Sequence, residues 1–415
     1  MTESVTIVGA GMVGICTALS LAERGINVRI IDKAAPAQGA TFGNAGIISP
    51  WSILPQPVPG IWKNVPNLMF GRHKVLKMHL SQFPRLIPWG LRFMRNTPEP
   101  KVEPIAQAMF TLCEPSIDLY RSHLQGTGHE DLVADAWYVH AFRSEAQAKD
   151  WFDNAIDYRL RRKFGANVDF VANDELHKLE PALGPEFTAA VLVKDQARAR
   201  SPEKIALALL EKARKLGVQF EQTELKSIER DGSDWTVHCT DQTFKSNRLV
   251  LAAGAWTRKI LKPLGIKAPL MAERGYHVQF QDPGVEFNHS VMDVDAKLVA
   301  SSMADGMRVA GASEFCDIDA KPDPKRQALL TKQAKVLAPD LDTSSPSFWH
   351  GHRPSFPDSL PMIGEYENQP GLFACFGHSH YGLMMAPKSG EILSDVIAGR
   401  KPNMDLSAYS PMRFS

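Results

Sequence analysis

No Cys-x-x-Cys pair occurs in this chain of 415 residues, and its five cysteines, Cys16, Cys113, Cys239, Cys316 and Cys375, are odd in number and far apart. That argues against a disulfide framework and against a cysteine-based zinc site. An excess of one charge is missing too. Lys and Arg total 47, Asp and Glu total 46, and the net charge is +1. With no basic surplus to meet phosphates, no nucleic-acid partner is expected. No run of about 18 apolar residues is present, so no bilayer-spanning helix is expected. The chain enters its first strand within a few residues, without the basic, apolar and cleavage regions of a secretory signal. A reducing cytoplasm is the expected compartment. One segment qualifies this: "FPRLIPWGLRFMRN" (Phe83–Asn96) mixes Trp89, Leu91, Phe93 and Met94 with Arg85, Arg92 and Arg95. It reads as a domain-surface segment whose prolines weaken a helix. Peripheral contact with the anionic inner-membrane surface is the alternative reading.

The sequence does hold an ordinary globular composition, 44% hydrophobic and 22% charged, with length for two or three domains. Its first motif is "TIVGAGMVGICTALSLAERGINVRIID", Thr6–Asp32. Val5–Val8 reads as a buried strand. Gly9, Ala10, Gly11, Met12, Val13 and Gly14 then fit GxGxxG. The first glycine permits a tight turn, the second lets a pyrophosphate approach the backbone, and the third lets a helix lie close to the strand. Ile15, Ala18, Leu19 and Ala22 give that helix an apolar face, and its N-terminus would offer unpaired N–H groups to phosphates. Asn27–Ile31 forms a second strand, and Asp32 ends it, 23 residues beyond Gly9. An acid at that distance accepts from a ribose hydroxyl. It disfavours a 2′-phosphate, which argues against NADP and leaves NAD and FAD open.

The chain after Asp32 does not continue as an NAD domain would. "GATFGNAGIISPW" (Gly39–Trp51) is a run of small residues, and Pro50, Pro55, Pro57, Pro59 and Pro66 follow. This density of proline reads as a long loop into another layer. The strand–helix pattern resumes near Ser201, a helix N-cap before Pro202. Short antiparallel strands follow, with turns at Asp231-Gly232 and Asp241-Gln242, and "LVLAAGAW" closes that part. "GLFACFGHSHYGLMMAPKSGEILSDVIAG" (Gly371–Gly399) reads as strand, turn and helix. The fold class is therefore α/β (α+β overall). A discontinuous Rossmann-type domain is expected from residues 1–50, 188–262 and 350–415. A mixed-sheet substrate domain is expected from 51–187 and 263–349.

The order and spacing of these motifs, with "TFGNAGIISP", "GHRPSFPDSLPMIG" and "GHSHYG", resemble the flavoproteins related to D-amino acid oxidase, glycine oxidase and sarcosine oxidase. Within them, the chain is similar to the FAD-dependent D-amino acid dehydrogenases of bacteria, including those acting on D-hydroxyproline. The resemblance covers essentially the whole chain. It implies FAD as cofactor, a D-amino or D-imino acid as substrate, and a quinone or respiratory chain as acceptor. A hydride would leave the substrate α-carbon for flavin N5, giving an imine and, after hydrolysis, an oxo acid.

The resemblance also implies site residues. Arg353 matches the GxR position that binds the substrate carboxylate, a role suited to its planar fork; its structural alternative is a pair with Asp358. Arg274 is the second candidate, with exposure or a pair with Glu273 as its alternative. Tyr276 and His277 share a strand and face opposite sides, so one of them is expected at the substrate. His380 and Tyr381 precede the last helix, whose backbone at Gly382, Leu383 and Met384 would lie by the flavin. Met384 stands where some sarcosine oxidases carry a lysine, which argues against that activity. Thr41, Asn44, Ala45, Gly46 and Ile47 match the loop along the flavin. Lys33, Ala253, Gly254 and Trp256 complete the expected cofactor contacts. His378 and His380 form HxH, but without further ligands no metal is expected. A glycine- or sarcosine-type amine oxidase, a flavin-bearing subunit without turnover and an NAD dehydrogenase are the competing readings.

Overall fold

The computed structural model describes residues 4–414. Two sheets organise the chain. The first has six strands in the order Met362–Glu365, Leu372–Phe376, Arg248–Leu251, Ser4–Val8, Asn27–Asp32 and Gln219–Gln222. Its pairings are parallel except at the edge, where Met362–Glu365 runs antiparallel to Leu372–Phe376. The three central strands are almost entirely buried, as apolar runs covered on both faces should be.

Helix Met12–Ala22 follows the first strand. The sequence predicts one apolar face, yet Cys16, Thr17, Ser20 and Leu21 are buried as well. The reason is cover on several sides, from helix Pro202–Lys215 and from helix Gly382–Ile397. At Gly390 of the latter, an added Cβ would stand 2.8 Å from the Cys16 carbonyl carbon. The glycine thus sets how closely these two helices approach. Ser201 caps Pro202–Lys215, its Oγ accepting from the Lys204 N–H at 3.2 Å, as its position predicts.

The second sheet has ten strands. Its main path runs Pro346–Ser355, Met271–Phe280, Gly306–Phe315, Leu298–Met303, Ser290–Asp293, Val133–Phe142, Ala189–Ala199 and Ile47–Ile48. Leu76–Met78 pairs beside Gly306–Phe315, and Val168–Ala172 beside Ala189–Ala199. Three stretches that the sequence groups with the nucleotide-binding segments therefore pair here: Ile47–Ile48, Ala189–Ala199 and the end of Pro346–Ser355. A strand's local pattern reveals its burial but not its partner. A three-stranded meander, Leu225–Asp231, Asp234–Cys239 and Thr243–Ser246, turns at the two expected places.

The proline-rich region is more helical than its composition suggests. Helices Ile61–Phe70, Phe83–Arg95 and Glu99–Cys113 hold Pro66, Pro88 and Pro104 internally. In Phe83–Arg95, Pro84 falls in the first turn, where its missing N–H costs nothing. The helix is pinned by Trp89, which is buried with Met271 and Phe315.

Candidate active site

A cavity of about 1770 Å³ is walled by residues of both sheets and by the helices of the 61–95 region. Single small-ligand sites are usually ~300–1,000 Å³, so this space suits a dinucleotide together with a substrate. At one end lies the turn after the first strand. Gly9 has φ 120°, and a Cβ on it would stand 2.5 Å from the Ala252 carbonyl oxygen. A Cβ on Gly14 would stand 1.9 Å from the Gly9 carbonyl oxygen. The Ala10 N–H donates to Asp32 Oδ2 at 2.8 Å and the Ala34 N–H to Oδ1 at 3.0 Å. Asp32 thus shapes the turn while still bordering the cavity. The Met12 N–H donates to Thr41 Oγ1 at 2.9 Å. No side chain caps the helix at Gly11, and Gly11, Met12 and Val13 lie on the cavity wall. A helix start whose N-terminal N–H groups beyond Met12 meet no side chain, in a glycine cradle, is a fitting seat for a pyrophosphate.

The same wall continues through Lys33, Ala253, Gly254 and Trp256, with the Lys33 ammonium 4.6 Å from the Trp256 ring centre. Thr41, Asn44, Ala45 and Ile47 also line it; Gly46 sits behind, its N–H donating to Asn44 Oδ1 at 2.8 Å. This loop is fastened from beneath. Arg308 Nη1 donates to the Phe42 and Asn44 carbonyls at 2.6 and 2.7 Å. The His277 ring stacks on Trp349 at 5.1 Å, and its Nδ1–H donates to the Gly43 carbonyl at 3.2 Å. Burial, with Arg308 nearby, pushes the His277 pKa down to about 3, so the ring is neutral. Gly382, Leu383 and Met384 open the C-terminal helix on the opposite wall. Tyr120 holds that turn, its hydroxyl donating to the Leu383 carbonyl at 2.7 Å.

The polar centre of the cavity is built on strand Met271–Phe280. Glu273 is buried, and Arg353 faces it across the ladder. Glu273 Oε1 accepts from Ser313 Oγ at 2.5 Å, from His380 Nε2 at 2.8 Å and from Arg353 Nη1 at 3.3 Å. Its Oε2 accepts from Ser355 Oγ at 2.9 Å. Burial opposes the charge of Glu273, but His380, then Arg353 and Ser313, outweigh it and hold the carboxyl well below the usual range. Arg353 Nη1 also donates to the Ala312 carbonyl at 3.1 Å. Ala312 has φ 60° at a bulge in the neighbouring strand, a device that redirects backbone groups beside sites. Among the described residues Arg353 Nη2 makes no hydrogen bond, and the side chain keeps 23% of its exposure on the cavity wall. Gly275 leaves the room beneath it; a Cβ there would clash with the guanidinium.

The other expected residues separate by strand face. Tyr276 lies opposite Glu273, stacked on Phe348, with its hydroxyl donating to Glu314 and accepting from the Asp323 N–H. His277 shares the Glu273 face but sits under the Gly43 loop, off the cavity wall. Tyr276 reaches the cavity wall, but protein partners take its hydroxyl, and His277 does not reach the wall. Tyr381 borders the cavity, but its hydroxyl donates to the Leu54 carbonyl at 2.6 Å. Arg274 is fully buried with Glu314, neither exposed nor paired with Glu273. Asp358 pairs with Arg413, not with Arg353. His378 turns to Ser389 at 3.0 Å while His380 turns to Glu273, so the HxH rings diverge. Among the described residues no cluster of His, Cys, Asp or Glu could hold a metal ion. Sequence reasoning missed Glu273 as a site residue. It also missed Arg308 and Trp349, for which no local signal exists.

Comparison with known proteins agrees with this geometry. Residues 4–396 match the DAO family, described as FAD dependent oxidoreductase. A D-amino-acid oxidase of Bradyrhizobium diazoefficiens is 32% identical, over 99% of this chain and 98% of the relative. A D-amino acid dehydrogenase of the same organism is 28% identical, over 99% of both chains. Among solved structures, glycine oxidase from Geobacillus kaustophilus superposes with a TM-score of 0.74 at 22% identity, covering 99% of each chain.

Proposed function

The chain belongs to the DAO family of FAD dependent oxidoreductases, and from that premise we propose that it dehydrogenates a D-amino or cyclic D-imino acid, with D-proline and D-hydroxyproline the first compounds to try. The glycine turn at Gly9–Gly14, Asp32, the loop from Thr41 to Ile47, the Ala253–Trp256 turn and the start of helix Gly382–Ile397 are the residues that would hold FAD. When bound, FAD supplies a two-electron acceptor that takes a hydride from the carbon bearing nitrogen.

The observation that carries the substrate reading is the guanidinium of Arg353. One nitrogen is anchored on Glu273 and the Ala312 carbonyl, and the other has donors to offer within the cavity. A carboxylate on that fork is fixed in orientation as well as in place. Glu273 holds both Arg353 and His380 from below. With Nε2–H donated to Glu273, His380 has Nδ1 as its remaining ring nitrogen. That atom is the one suited to hold the proton which a substrate ammonium sheds before hydride transfer. Tyr276, His277 and Tyr381 then act as framework: Tyr381 ties the Leu54 loop, and His277 ties the Gly43 loop.

The test is an anaerobic visible spectrum of the FAD-loaded protein with D-proline, cis-4-hydroxy-D-proline, other D-amino acids, sarcosine and glycine in turn. Bleaching by D-imino or D-amino acids supports the proposal and ranks the substrates. Bleaching only by sarcosine or glycine moves the chain to the amine-oxidase reading, and none by any of them discards the substrate class. Reoxidation of the bleached protein by a short-chain quinone, faster than by oxygen, would support a quinone as the acceptor.

A further inference from the structure

Between Asp32 and Glu99 the chain has no Asp or Glu but eight Lys and Arg. With +1 over the whole chain, everything outside this stretch carries a net −7. The basic stretch builds helices Ile61–Phe70 and Phe83–Arg95, and Lys63, Arg72, Lys74, Arg85, Arg92 and Arg95 are all exposed. Of these, Arg85 has an acid near it, Asp317 at 4.0 Å.

The exposed apolar residues gather in the same place. Nine large hydrophobic side chains are exposed among the described residues, and seven fall between Trp62 and Met94. Phe83, Ile87, Leu91 and Met94 recur at spacings of four, four and three along one helix. At about 100° per residue they cover an arc of roughly 80°. Leu86, Trp89 and Phe93 occupy a second arc, packed inward against Met271, Phe315 and the cavity. Arg85, Arg92 and Arg95 fill the third. The helix therefore buries one apolar side in the protein and leaves another bare, with arginines along its border. Leu80, just before this helix, is 83% exposed, and Phe70, at the end of the neighbouring one, 79%. Monomeric proteins rarely expose so many large apolar side chains in one short segment without an interaction to cover them.

We propose that this face docks on the surface of an anionic lipid bilayer. The apolar ridge would enter the headgroup boundary, while Arg85, Arg92 and Arg95 beside it, with the basic residues of the neighbouring segment, would meet lipid phosphates. Among the described residues no helix is long and apolar enough to cross a membrane, so the contact proposed is interfacial. Charge decides between bilayer and protein as the occupant. A second copy would bring another basic face against this one, whereas an anionic bilayer complements it. The inner faces of the same two helices wall the large cavity, so docking would set that cavity against lipid. The proposal does not depend on which substrate the cavity takes.

The test is co-sedimentation of the FAD-loaded full chain with vesicles of phosphatidylcholine alone and of phosphatidylcholine mixed with phosphatidylglycerol. Binding to the mixed vesicles is expected, much weaker binding to the neutral ones, and a decline with added salt. Ile87→Glu/Leu91→Glu should lower the partition about tenfold or more, with melting temperature and flavin absorbance unchanged. Arg92→Ser/Arg95→Ser should lower binding to the mixed vesicles only. Equal partition by the Ile87/Leu91 variant, or no binding of the unmodified chain to mixed vesicles, would overturn the proposal. So would a dimer by light scattering that this variant dissociates, found without vesicle binding; the face would then belong to a second copy.

Discussion

Two arginine–glutamate pairs lie back to back across strand Met271–Phe280. Arg274 and Glu314 are sealed on one face, with side-chain exposures of 0% and 1%. Arg353 and Glu273 lie on the other, with 23% and 4%. The sealed pair meets only protein groups, and Arg274 Nε is buried among them without a partner. Arg274 donates to Glu314 and to the Ala320 and Lys321 carbonyls, and Glu314 also takes Tyr276, His79 and Lys77. The cavity pair has its carboxylate satisfied, but its guanidinium only in part. Residue type cannot separate a structural arginine from one that holds a ligand; whether its unpartnered donors open onto a cavity can.

The largest expected effect lies on the sealed side. Arg274→Ala would break a fully buried ion pair with Glu314 and strip the Ala320 and Lys321 carbonyls of their donor, and should destabilise the protein by about 3–5 kcal/mol, read as a lower denaturant midpoint. In the folded fraction, KM for a carboxylate substrate should not move; a rise there would place Arg274 in the site and erase the contrast.

Arg353→Ala should do the reverse. Loss of a charged hydrogen bond worth ~1.5–3 kcal/mol corresponds to a rise in KM of about 10- to 150-fold, with a smaller loss of stability than for Arg274→Ala. Arg353→Lys should recover only part, because an ammonium lacks the fork. Unchanged steady-state kinetics in Arg353→Ala would remove it from the site.

Glu273→Gln should have an intermediate effect, lowering kcat/KM about tenfold as His380 and Arg353 lose their shared anchor. Its pH signature is more specific. The folded carboxyl is held below its usual range, so the stabilisation it gives is present above the unfolded value of about 4.3 and lost as pH falls below it. The stability gap between the unmodified protein and Glu273→Gln should therefore narrow with acidification. A gap independent of pH would mean that the native carboxyl is not ionised. The smallest effect is expected for His277→Ala, about 1 kcal/mol for the lost bond to Gly43, measured as faster FAD loss on dilution with KM unchanged.

Much of this was legible in the sequence, for reasons that differ by region. The glycine turn and Asp32 show themselves because their geometry is local: a strand, a tight turn, a helix and an acid within one short segment. Ser201 and the meander turns were readable on the same grounds. The polar centre was not. Glu273 and Arg274 are chain neighbours that point to opposite faces, so adjacency suggested a pair that the strand forbids. The space above Gly275 becomes meaningful only when Arg353 is known to lie in the adjacent strand. Arg308 and Trp349 act on the Gly43 loop from residues hundreds of positions away in the chain, and nothing nearby marks them. Which sheet Ala189–Ala199 joins was likewise decided by partners far along the chain.

The six-stranded sheet carries a consequence for how the protein is made. Its first strand, Ser4–Val8, lies between Asn27–Asp32 and Arg248–Leu251. A ribosome adding about 5–20 residues per second needs roughly 10–50 s to supply that second neighbour. Throughout that interval the nascent glycine turn has one open edge, a surface prone to wrong pairing. Leu372–Phe376 and the helix Gly382–Ile397, which close the opposite wall of the cavity, arrive later still. A complete cradle for the cofactor thus exists only when the last tenth of the chain has emerged, and translation that stops short of Gly382 leaves a product whose cradle lacks its opposite wall.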